Sequence, residues 1–104
     1  MAIGTGNTLA ELERSWFAQK VGSANDRLTI NELKRSYFIS QGASARGLND
    51  LEAQWLRKVI SLNAATPSNT NNLSTLWIEA VSSAGLTTSK YINNNKQTYY
   101  RNVA

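Results

Sequence analysis

Apolar residues return along this chain in one spacing. Leu9, Leu12, Trp16 and Phe17 stand at offsets 0, +3, +7 and +8, and the same offsets hold Ile30, Leu33, Tyr37 and Phe38, then Leu48, Leu51, Trp55 and Leu56. Those offsets form one stripe of a helix with a period near 3.6, so each copy predicts a short amphipathic helix. A fourth copy, Leu73, Leu76, Ala80 and Val81, keeps the spacing but moves its Trp to position 77. The fifth, Ile92, Asn95, Tyr99 and Tyr100, keeps an aromatic pair and loses the second aliphatic. The pattern is a degenerate repeat of about 20 residues. It predicts an all-α fold of five short amphipathic helices in a compact bundle.

Polar residues punctuate the copies where helices should begin and end. Thr29 with Glu32, and Thr8 with Glu11, have the spacing of a capping box, in which hydroxyl and carboxylate satisfy the first free amides. Gly47 or Asn49 is the expected cap of the third helix, while Gly22, Gly42 and Gly85 supply left-handed stops. Charge follows the helix dipole: Glu11 and Glu13 precede Lys20, Glu32 precedes Lys34 and Arg35, and Asp50 and Glu52 precede Arg57 and Lys58. The linkers fall at 23–27, 43–47, 63–72 and 86–90, and only the third is long. Its Pro67, among Asn, Ser and Thr, forbids helix continuation. The expected organisation is one domain, with a flexible arm at 1–7, a three-helix half at 8–62, a surface loop at 63–72 and a two-helix half at 73–104. The expected core is Leu9, Leu12, Trp16, Phe17, Ile30, Leu33, Tyr37, Phe38, Leu48, Leu51, Trp55, Leu56, Val59, Leu73, Leu76, Trp77, Val81 and Ile92.

Composition narrows the chemistry. The 104 residues contain neither Cys nor His, which removes disulfides, thiolates and imidazoles. Seven carboxylates remain, six of them in or just before first helical turns where capping accounts for them. The close pairs Glu11 with Glu13 and Asp50 with Glu52 sit two apart on different helix faces, so no oxygen-ligand metal cluster is suggested. No cofactor and no catalysis are expected. No apolar run approaches the ~20 residues of a membrane span, and MAIGTGNTLAELE has no secretory character, so a native Met-Ala start and a soluble protein are expected.

The net charge of +4 and a pI near 9.7 raise a nucleic-acid reading, with Lys34 and Arg35 on a recognition helix. The eleven basic residues are nevertheless spread over four of the five predicted helices and the linkers, with no run of three. Solvated helix faces and dipole partners account for them more simply. A positive surface would favour an acidic partner, either protein or DNA. The aromatic pairs lie on the aliphatic stripes and read as core. Tyr99 and Tyr100, on the copy with the weakest apolar face, stand equally for packing on the body and for docking on a partner.

The segments TLAELERSWFAQKVG, LNDLEAQWLRKVI and YINNNKQTYYRNVA resemble small virion structural proteins of tailed actinobacteriophages. That resemblance spans nearly the whole chain and rests on helix-packing motifs. It implies a non-enzymatic virion component, made in the host cytoplasm and present in many copies. The first expectation is a capsid decoration or minor capsid protein on the major capsid protein; a minor tail component on the tail lattice comes second. A small helical DNA-binding adaptor is the alternative from a different class, and a homo-oligomer is compatible with either. No catalytic, cofactor or metal residue is implied. Lattice contacts are expected from residues 2–7 and 91–103, with Ile3, Tyr91, Asn94, Lys96, Tyr99, Tyr100 and Arg101 as candidate partner-binding residues.

Overall fold

The computed structural model describes residues 3–22, 28–63, 66–68 and 70–104, which form helices and connecting segments with no strand among them. The expected linker 23–27, with Asp26 and Arg27, lies outside the described residues, as do Met1, Ala2 and residues 64, 65 and 69 of the third linker. Five helices occur, α1 (Leu9–Val21), α2 (Ile30–Ser40), α3 (Leu48–Leu62), α4 (Leu73–Ser83) and α5 (Ile92–Asn102). Each begins at the residue that opens its repeat. Thr8 accepts the Glu11 amide at the start of α1, and Thr29 with Glu32 completes a reciprocal capping box on α2. Gly47 is the α3 cap and Asn72 that of α4, whereas α5 has no side-chain cap. At the far end of α1, Gly22 takes φ 73°, a left-handed stop that a side chain would strain.

The helices close into a ring. Each packs on the next in sequence, and α5 returns to pack on α1. The three-helix and two-helix halves expected either side of the long loop are therefore joined twice, through α3 with α4 and through α5 with α1. No other helix pair is in backbone contact, so the ring's centre is filled by side chains. Trp16, Phe17, Tyr37, Phe38, Trp55, Trp77, Tyr99 and Tyr100 meet there, mostly edge to face; Trp16 and Trp55 lie 5.8 Å apart across the ring. Such pairs add about 0.5–1.5 kcal/mol each beyond their buried area.

Every expected core residue is buried or half-buried, the half-buried ones including all five that open a repeat. Ala80 is fully buried, and Trp77 of the same copy supplies the aromatic contacts, with Trp55 and Tyr99. Ile60, Ala43 and Ala53 are also in the core, unanticipated by the repeat because they fall outside its four positions.

The arm expected to be flexible is bonded to the body over residues 3–5. Gly4 donates to Tyr100 O at 2.7 Å, the Thr5 amide donates to Ser15 Oγ at 2.8 Å, and Gln19 donates to Ile3 O. Gly4 is buried where α1 meets α5, and a Cβ there would lie 2.9 Å from Tyr100 O and 3.0 Å from Leu12 O. Only glycine allows so close an approach. Two longer amides secure the loops in the same way. Gln54 bonds both backbone groups of Ser44, at 2.9 and 3.0 Å, and Asn95 both backbone groups of Ser89, at 2.8 and 2.9 Å.

Candidate functional site

Two polar constellations stand out, one inside the ring and one on its outer surface. The inner one is drawn from all five helices: Glu13 of α1, Lys34 of α2, Glu52 of α3, Trp77 of α4 and Lys96 of α5. Glu13 forms a tight ion pair with Lys34, and Glu52 lies 3.9 Å from Lys96. Lys34 also sits over the Phe17 ring and Lys96 over that of Trp77, at 5.9 and 6.0 Å. The Tyr100 hydroxyl and Trp77 Nε1 are buried with no hydrogen-bond partner of normal geometry. Burial pushes the Glu52 carboxyl above its usual range; Lys96 and Lys34 draw it back, Glu13 raises it, and the Trp77 N–H facing it lowers it. Two carboxylates against two ammonium groups leave the cluster neutral. Its charges answer one another across the helices, which leaves no net charge to offer to a ligand.

This cluster corrects the reading of those charges as solvated. Glu13, Lys34 and Glu52 are buried, not helix-end charges in water, because they share the inward stripe with the apolar residues. Other basic residues are likewise engaged: Arg35 donates to Arg46 O, Arg57 to Thr70 O and Lys58 to Gln41 O, and Lys20 stacks over Trp16. The first three tie helices to connecting segments, and the last lies within α1.

The outer constellation follows α5. Of the seven candidate partner-binding residues, Ile3, Tyr91, Asn94 and Arg101 are exposed, Tyr91 by 59%. Tyr91, Asn94, Thr98 and Arg101 are spaced by three and four residues, one outer face of α5, with Thr98 half-buried. The bond from Gly4 to Tyr100 O brings the arm, with Ile3, beside the carboxyl end of that helix. The other three face inward. Lys96 serves the inner cluster, and Tyr99 and Tyr100 are 4% and 0% exposed in the aromatic centre, so they are removed from partner contact. Burial raises the Tyr99 hydroxyl to about 12 and the Tyr100 hydroxyl well above the usual 10.0.

Among the described residues, no three His, Cys, Asp or Glu side chains gather as a metal site requires, and no helix is long and apolar enough to cross a membrane. Comparison with protein-family models, curated proteins and solved structures gives no match.

Proposed function

We propose that this chain is a non-catalytic structural component of a phage virion, docking in many copies on the capsid as a decoration or minor capsid protein. The observation that carries the reading is the bond that joins the two segments expected to make lattice contacts: Gly4 donates to Tyr100 O, and Ile3 and Arg101, next to the two bonded residues, are exposed. An arm already bonded to the body in this way costs less ordering entropy on docking than an unbonded one. The absence of catalysis in this proposal draws support from where the carboxylates go. Glu11 accepts from the Thr8 hydroxyl, Glu32 completes the cap of α2, Glu13 and Glu52 pair with lysines, and Glu79 holds Ser68. A DNA-binding helix α2 is disfavoured, since Lys34 is buried with Glu13 and Arg35 bonds a loop carbonyl.

Quantitative mass spectrometry and cryo-electron microscopy of purified particles of the encoding phage test this. A fixed copy number with density on the shell supports it. Density on the tail moves the protein to the runner-up assignment, and absence from particles overturns the virion reading.

A further inference from the structure

We infer that the outer face of α5, with the N-terminal arm beside it, docks on an acidic protein surface that carries apolar residues. This deepens the virion reading by naming its docking face and the partner's chemistry. The argument is one of charge left over once the fold has been built. Lys34 and Lys96 are paired, Arg35, Arg57 and Lys58 are held by carbonyls, and Lys20 is half-buried against Trp16. Lys90 and Arg101, by contrast, stand exposed at the two ends of α5. No acidic side chain occurs among residues 80–104, so none on α5 or the connection before it offsets them. Between and beside these charges lie two exposed apolar groups, Tyr91, with Lys90 Nζ 5.2 Å over its ring, and Ile3, 42% exposed. An aromatic anchor beside one cation, with a second cation at the far end of the helix and the amide of Asn94 between them, matches a surface of carboxylates around an apolar patch.

Nuclear magnetic resonance titration of the intact protein with poly-L-glutamate, and with a random glutamate–tyrosine copolymer, tests the inference without reference to particles. Amide shifts should gather on residues 90–102 and on Ile3, and the copolymer should bind more tightly than polyglutamate. K90E/R101E should weaken copolymer binding about tenfold, while R46E, on the connection between α2 and α3, should leave it nearly unchanged. Y91A should abolish the copolymer's advantage. Circular dichroism first establishes that each variant keeps the helical fold. Shifts centred instead on Arg35, Arg46 and Lys58, no binding at all, or tighter binding of duplex DNA by the α5 face at matched salt would each overturn the inference. Failure here leaves the particle experiment free to succeed, and the reverse holds equally.

Discussion

Replacing Lys34 by Met should destabilise the protein far more than replacing Lys34 and Glu13 together. The two side chains retain 11% and 10% of their exposure, so each is largely stripped of water and depends on the other. Removing one partner leaves a buried charge uncompensated, which costs about 3–5 kcal/mol, whereas replacing both with apolar groups is often neutral or stabilising by roughly 1–4 kcal/mol. K34M alone leaves Glu13 in an interior already holding Glu52, and a domain of this size has only about 5–15 kcal/mol in total. The single variant should therefore stand near the edge of folding. E13L/K34M should recover to within about 1–2 kcal/mol of the parent, giving a coupling of several kcal/mol between the two sites. Urea denaturation of the parent, both singles and the double, with m-values compared to establish that the unfolded states match, measures this. A single-variant loss below about 1 kcal/mol, or a double equal to the sum of its singles, would show that the pair is effectively solvated and refute the reasoning.

Alkaline pH should unfold the protein through Tyr99 and Tyr100. Their folded hydroxyls are raised, Tyr99 to about 12, so above pH 10 the unfolded chain gives up these protons first and stability falls as pH rises through 12. The slope is about 1.4 kcal/mol per pH unit for each tyrosine, and Y99F/Y100F should flatten it in denaturant titrations at successive pH values. G4A should displace the arm, since its Cβ meets backbone oxygen at 2.9 Å; loss of amide protection at Thr5 without loss of helix content is the expected exchange result, and unchanged protection counts against the close fit. N95L restores the repeat's aliphatic yet should destabilise by about 1–3 kcal/mol, because the backbone groups of Ser89 lose their partners. Thermal melting decides it, and a more stable variant would mean that those groups find water instead.

The repeat and its caps made the five helices legible because both are local: a stripe of apolar residues and a hydroxyl three residues before a carboxylate act within one helix. The burial of Trp16, Trp55 and Trp77 follows from the same stripes. The inner cluster was legible too, but only from a position the repeat had omitted. Glu13, Lys34, Glu52, Trp77 and Lys96 all stand at offset +4 of their copies. At about 100° per residue, that offset lies midway between offsets 0 and +8, each about 40° away, and so must point inward with them. Polar identity hid it, because a charge beside a stripe reads as solvated until a partner of opposite sign is known to face it. The partner comes from another helix, so the ring's closure had to be known first. Tyr99 and Tyr100 were ambiguous for a related reason. Asn95 makes their helix look weakly apolar, yet that amide is itself buried, serving the loop at Ser89.

The order of charges around the ring has a further consequence. Five similar apolar stripes, packed through interchangeable aromatics, specify a bundle without specifying which helix sits beside which. At offset +4 the chain reads Glu, Lys, Glu, Trp, Lys, so each carboxylate has a lysine on a helix in contact with its own or within reach of its charge. Lys34 lowers the Glu52 carboxyl as well as pairing with Glu13, so it sits between two acids. Exchanging the charges of the first pair, as E13K/K34E, keeps that pair's attraction but turns α2's contribution against Glu52, which outweighs the relief of the smaller repulsion from Glu13. If the layer acts as a whole, the exchanged protein should be less stable than the parent by about 1–3 kcal/mol, and inverting the second pair as well, with E52K/K96E, should recover part of the loss because every carboxylate again faces a lysine. An exchanged protein as stable as its parent would reduce the layer to two separate ion pairs, and the choice of neighbours would then rest on loop length and aromatic fit alone.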